Sequence, residues 1–283
     1  MFQQQRIYAN MPPVMSMTTF SYSAVFFYLL ASIWLGWRVF RPAAETNTKL
    51  PVTIPGSLAL LLHVLVLHQR IFLEGGLNFG FFNALSLICW AAALLVVIGT
   101  LLRPLENQAL VFFPAAAVAL LLEQTFNSPH ILSDSTTLGL RLHILLSVTS
   151  YSLLAIAALQ AVILSIQERQ LRNKHPVAAM RIFPPMQIME ELLLQFLGLG
   201  FFLLSLSLAT GLMFVHDIFA QHLAHKTTLS ILAWIIFGTV LSGRRLKGWR
   251  GQTLIRWTLG GFVALMLAYF GSKLVLELIL HRT

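Results

Sequence analysis

About eight apolar runs, broken by proline, glycine or charge, occupy most of the chain: residues 20–40, 55–72, 79–102, 109–125, 138–166, 190–219, 227–241 and 253–280. Only 10% of the residues are charged and the mean hydropathy is +0.78, where a soluble domain has about a quarter of its residues charged. A helix crossing the hydrocarbon layer needs about 20 apolar residues. The length of 283 residues therefore suits one bundle of about seven to nine spans and leaves little for a soluble domain. Strands of a membrane barrel would alternate in and out over about ten residues. Runs this long and this uniform do not alternate, and in lipid only a helix satisfies its backbone within one segment. The fold class expected is all-α: a polytopic transmembrane helical bundle of about eight helices.

No linker or shift of composition divides the chain, and no internal repeat is evident. Residues 1–18 are polar and lack a basic stretch feeding an apolar one, so a cleaved signal peptide is not expected. They read as a flexible N-terminal segment ahead of a single transmembrane domain, 19–283. Cys89 is the only cysteine, which excludes an internal disulfide, a CxxC redox pair and a thiolate metal site. The formal charge of +9 would fit nucleic acid. The basic residues, however, fall between apolar runs without interleaved aromatics, so no nucleic-acid partner is expected and membrane lipid is.

Those basic residues set the orientation. The connections after spans one, three, five and seven hold Arg38, Arg41 and Lys49; Arg103; Arg169, Arg172, Lys174 and Arg181; and Arg244, Arg245, Lys247 and Arg250. The alternate connections hold only Arg70, Arg141 and Lys226. The positive-inside rule puts the first set in the cytoplasm and both termini on the non-cytoplasmic side. The segment 169–190, with its Pro184-Pro185 turn, is expected to lie along anionic headgroups.

With that orientation, His143 opens span five, and His216 and His281 close spans six and eight, all at the outer face. His63 lies seven residues inward from Arg70, roughly 10 Å deeper at 1.5 Å per residue. Imidazole is costly in a membrane without a partner, and facing imidazoles on one side are what a haem iron accepts. Arg70, Arg141 and Lys273, basic residues on the disfavoured face, are candidates to meet haem propionates by charge-assisted bonds. Plainer readings stand beside these. His143 could bond a backbone carbonyl or Glu123, His63 could be interhelical hydrogen-bond glue, and His216 could be solvated beside Asp217. His281 could be a frayed terminus, Lys273 could pair with Glu277 at i,i+4, and His222 and His225 read as loop residues.

Three stretches resemble a known family. Leu142-His143 is followed by Ser150-Tyr151. Phe183-Pro184-Pro185-Met186 leads to Met189-Glu190. Thr210-Gly211 precedes Leu232-Ala233-Trp234, Gly248-Trp249-Arg250-Gly251 and Tyr269-Phe270-Gly271. In this order they resemble the cytochrome c assembly membrane proteins, the CcsA/CcmC/CcmF-type haem-handling family, and within it the YpjD-like inner-membrane subgroup. The resemblance covers roughly the C-terminal half, with His63 and Arg70 a further match to an early His-then-Arg pattern. It implies a bacterial inner-membrane location, haem b as cofactor and partners among the membrane proteins of cytochrome biogenesis. Held at the outer face by two histidines, the iron would take His143 first and His281 as the second ligand. The family's tryptophan-rich external segment between spans six and seven has no counterpart in 216–226, and Ser242 stands where an intramembrane histidine is expected.

There is no Ser-centred nucleophile motif, HExxH, Gly-rich phosphate loop or pair of mid-span carboxylates. The expectation is a binding and transfer protein rather than a conventional enzyme. The alternative is an accessory or regulatory membrane subunit that keeps the fold and binds a partner through its basic loops.

Overall fold

The computed structural model describes residues 14–39, 49–73, 76–103, 105–126, 131–133, 138–173, 184–214 and 221–271. Its helices are α1 (Val14–Val39), α2 (Lys49–Ile71), α3 (Phe81–Leu102), α4 (Ala109–Thr125), α5 (Leu138–Arg172), α6 (Met186–Phe214), α7 (Gln221–Lys247) and α8 (Gly251–Met266). A π-helical turn, Leu267–Gly271, continues α8. Seven helical segments, those of α1 to α7, are long and apolar enough to cross a membrane. The all-α polytopic bundle expected from the apolar runs is therefore the fold.

Several helices outrun their apolar stretches. Helix α1 begins at Val14, so residues 14–18 are helical rather than part of a loose N-terminal segment. Helix α2 starts at Lys49, with Pro55 inside it and not at its head. Helix α5 runs six residues past the expected end, to Arg172, and α7 begins at Gln221 instead of 227. In α5 and α7 the added turns are polar, and beyond the lipid water can satisfy their terminal carbonyls and amides.

Three short strands were not anticipated. They are β1 (Phe72–Leu73), β2 (Gly76–Asn78) and β3 (Ile131–Ser133), antiparallel in the order β1-β2-β3. Leu73 faces Gly76, and Leu77 faces Leu132. They tie the connection after α2 to the connection after α4. Gly76 has φ 131°, a region open to glycine. This side of the molecule is its strand end, and the opposite one its arginine end.

The core falls into two clusters. Tyr28, Ala59, Val96 and Phe113 belong to one, built from α1 to α4 and reaching Ile156 of α5. Leu193, Leu197, Phe237 and Leu254 belong to the other, built from α5 to α8 and reaching Ile88 of α3. Helix α5 is thus the seam, and Ser152 Oγ donates across it to the Ile88 carbonyl at 3.2 Å. Lipid tails are as apolar as leucine, so helix association in a membrane depends on close packing and interhelical hydrogen bonds. A Cβ on Gly56 would sit 2.6 Å from Phe113, one on Gly200 2.8 Å from Leu154, and one on Gly261 2.6 Å from Phe237.

Candidate functional site

At the strand end, the half-buried His143 on the second turn of α5 faces α6. Its Nδ1 lies 2.8 Å from the Ser207 carbonyl oxygen and 3.4 Å from Thr210 Oγ1. A carbonyl only accepts, so Nδ1 carries the proton and Nε2 carries the lone pair. Ser147 Oγ donates to the His143 carbonyl at 2.7 Å and shares a 2.7 Å bond with Ser207 Oγ. The ring lies against Gly211, where a Cβ would stand 3.0 Å from His143 Cε1. This explains the Thr210-Gly211 pair physically: the threonine offers a second acceptor near the ring, and the glycine leaves room for it.

Lys226, at the head of α7, is an electrostatic neighbour of His143. Its Nζ also lies 4.8 Å from the centre of the Tyr269 ring, a cation–π distance. Tyr269 sits in the π-helical turn and meets Tyr151 of α5 edge-on at 5.6 Å. Tyr151 Oη donates to the Leu265 carbonyl at 2.7 Å. The Ser-Tyr and Tyr-Phe-Gly stretches, far apart in sequence, therefore meet about two turns along α5 from His143. Sequence reasoning passed over Ser207 and Lys226. A serine chosen for its carbonyl leaves no side-chain signal, and Lys226 stood out only as a basic residue on the disfavoured face.

The other residues nominated from sequence do not gather here. His63 is fully buried, with Nδ1 3.2 Å from Tyr28 Oη and Nε2 2.9 Å from Ser86 Oγ. Both its nitrogens are engaged by α1 and α3, as in the hydrogen-bonding alternative, and it shares no partner with His143. Arg70 is an electrostatic neighbour of Glu123. Arg141 is two residues from His143, about 200° around a helix of 3.6 residues per turn, and so occupies another face of α5. There it helps line a cavity of about 550 Å³ with Phe72, Leu77, Trp90 and Val148. His216, Lys273 and His281 lie outside the described residues. Among the described residues no group of three or more His, Cys, Asp or Glu side chains could hold a metal ion.

At the arginine end, the other recurring stretches form a second constellation. Arg244 Nη1 lies 2.9 Å from Glu190 Oε1 and donates to the Trp249 carbonyl at 3.1 Å. Arg250 Nε is 4.0 Å from the same carboxylate. Gln252 Nε2 donates to Glu168 Oε2 at 2.9 Å, tying α8 to α5. Gly248 (φ 65°) and Gly251 (φ 54°) hold left-handed conformations that reverse the chain between α7 and α8. Gly243 accommodates the Trp249 ring, 2.5 Å from where a Cβ would lie. The Met-Glu and Gly-Trp-Arg-Gly stretches are two halves of one clasp.

Fold and site together define a multi-pass helical membrane protein with a lone-pair imidazole at one end and an arginine clasp at the other. Residues 52–280 match the cytochrome C assembly protein family, and the chain belongs to it. The inner membrane protein YpjD of Escherichia coli (strain K12) is 34% identical over 234 residues, which cover 80% of this chain and 86% of that protein. A 28.8 kDa protein of Azospirillum brasilense is 32% identical over 161 residues, 56% of this chain and 59% of its own. The cytochrome c biogenesis protein CcsA of Trichodesmium erythraeum is 26% identical over 91 residues, 31% of this chain and 26% of that protein.

Proposed function

We propose that this chain is an inner-membrane haem-handling protein in which His143 Nε2 is one axial ligand of a haem b at the outer face. The observation that carries this reading is the His143 Nδ1–H donated to the Ser207 carbonyl. Metal-bound histidines commonly donate their second nitrogen in this way, which fixes the tautomer, orients the ring and raises the basicity of the ligating nitrogen. The residues present fit one imidazole ligand. His216 and His281 are the candidates for the second, and Lys226 is the cation placed to receive an anionic propionate. Non-covalent b-type binding accords with a sequence whose single cysteine forms no attachment motif.

Orientation supports the same reading. The basic residues at the ends of α3, α5 and α7 match a cytoplasmic arginine end, which leaves the strand end, with His143, and both termini outside. YpjD is named as an inner membrane protein and CcsA as a cytochrome c biogenesis protein, and both names accord with this reading. When bound, haem would supply an iron centre to be held and passed on. The chain's own part is to orient His143 through Ser207, seat its ring against Gly211 and counter anionic charge with Lys226. Other membrane proteins of cytochrome biogenesis are the partners this role requires.

A second reading has one specific observation behind it. Helix α7 begins at Gln221, so only residues 215–220 separate it from the described end of α6. Those six residues contain no tryptophan, the side chain best suited as a flat shelf for a porphyrin. An accessory subunit that keeps the fold and engages a partner through its arginine end accounts for that. Purification in mild detergent followed by absorption spectroscopy separates the two. The haem reading expects a strong haem band that His143→Ala removes. A colourless wild-type protein that co-purifies with a stable partner selects the accessory role.

A further inference from the structure

We propose that the cavity between α3, α5 and the paired strands β1 and β2 is a binding site for one anionic phospholipid, its phosphate at Arg141 and one acyl chain lying along α3. The cavity holds about 550 Å³, within the range of sites that take small ligands. Its deep wall includes Leu87, Leu94 and Leu95 of α3, and Phe72 and Leu77 of the strands close its top. Leu95 stands fourteen residues beyond Phe81 at the head of α3, roughly 21 Å at 1.5 Å per residue. A volume of 550 Å³ over that depth leaves a section of about 26 Å², a slot averaging about 5 Å across, whereas a helix with its side chains needs about 10–12 Å. The space suits a single extended hydrocarbon chain.

The chemistry of the lining selects the ligand. Among the described residues that line the slot, Arg141 is the one charged side chain. The other polar side chains are Trp90 and Thr149, and these donate to the Leu60 and Leu145 carbonyls at 3.0 and 2.9 Å. With both donors engaged inside the protein, the interior offers a ligand chiefly apolar contact. None of these lining residues is His, Cys or Met, so the slot gives a haem iron no ligand and is distinct from the His143 site. Arg141 is the fourth residue of α5, where its apolar run begins and headgroups lie. A guanidinium fork there matches two oxygens of a phosphate.

The slot is open on the side where the bilayer lies. Phe72 is 60% exposed and Leu145 64%, and both border it, so a lipid enters sideways without crossing water. Its place gives the lipid a structural part. Helices α3 and α5 meet at the seam between the two half-bundles, where Ser152 donates to the Ile88 carbonyl. A chain packed between Leu94 and Val148 fills the space beside that bond and adds close contact to the seam, the kind of contact on which helix association in a membrane depends.

Native mass spectrometry of the full-length protein, delipidated in detergent and then given phosphatidylglycerol or phosphatidylcholine with identical chains, tests this. One phosphatidylglycerol should stay bound under activation that strips phosphatidylcholine. Arg141→Gln should weaken that retention about tenfold, the loss of one hydrogen bond between charged groups. Arg141→Lys keeps the charge and should keep a preference for the anionic lipid. Ala91→Phe should fill the slot and abolish retention. Where a variant does not fold, phosphatidylglycerol with a photoreactive diazirine at the end of one chain decides in the wild type, with crosslinks expected on α3 between Leu87 and Leu95. Equal retention of the two lipids, a preference unchanged in folded Arg141→Gln, crosslinks confined to other helices, or palmitate competing for those crosslinks as well as the phospholipid overturns the proposal.

Discussion

A single carbonyl decides what His143 can do. Were Nδ1 facing a donor instead, the lone pair would turn inward and Nε2 would carry the proton, useless to an iron. The space made by Gly211 is as important as the bond, because a Cβ there meets Cε1 at 3.0 Å. We expect Gly211→Val to displace the ring and lose most of any haem absorption while the protein still runs as a monodisperse species in detergent. A Gly211→Val protein with an undiminished haem spectrum would detach the imidazole from the cofactor. Tyr151→Phe removes the bond to the Leu265 carbonyl, a loss of about 1 kcal/mol that thermal unfolding in detergent would show as a lowered midpoint. His143 was legible in the sequence because a histidine opening an apolar run is conspicuous. Its orienter was not, since any residue can supply a carbonyl. His63 was equally conspicuous, and there the tyrosine and serine that occupy it came from helices whose rotation no linear pattern revealed.

Among the elements, the α5–α6 pair carries the closest packing around the site. Ser150 Oγ donates to the Gly200 carbonyl at 2.9 Å, an interhelical bond possible because glycine brings the backbones together. Gly200→Leu would drive a side chain into Leu154, and overpacking of this kind costs about 1–3 kcal/mol. The expected result is a lower thermal midpoint, with Gly198→Leu as control, since nothing lies within 4 Å of a Cβ at 198. Helix number and order were readable from apolar runs because lipid demands length and uniformity. The ends were less so, because beyond the hydrocarbon a helix can continue on polar residues, as α5 and α7 do. The three strands left no signature at all: two or three residues are too short for an alternating pattern, and their pairing depends on α2 and α4 ending side by side.

Over the whole molecule, two half-bundles share α5, and the clasp at the arginine end holds the second half shut. Glu190 there is ion-paired with Arg244 and stands near Arg250, while Arg244 also closes the turn through the Trp249 carbonyl. Removing the carboxylate in Glu190→Ala should lower stability by about 1–3 kcal/mol, between the loss of an exposed ion pair and that of a buried one. The exchange Glu190→Arg with Arg244→Glu should recover part of the loss, and a double variant no better than the sum of the singles would mean the pair contributes little. The sequence contained both halves of this clasp as separate stretches. Only folding showed that they belong to one another.

Helix α5 is 35 residues long, about 52 Å at 1.5 Å per residue, against about 30 Å of hydrocarbon. No proline interrupts it. The imidazole near its first turns and the Glu168 anchor near its last are therefore mounted on one stiff rod. No proline hinge separates the Gln252–Glu168 bond from the His143 ring, so one continuous helix holds both ends in register.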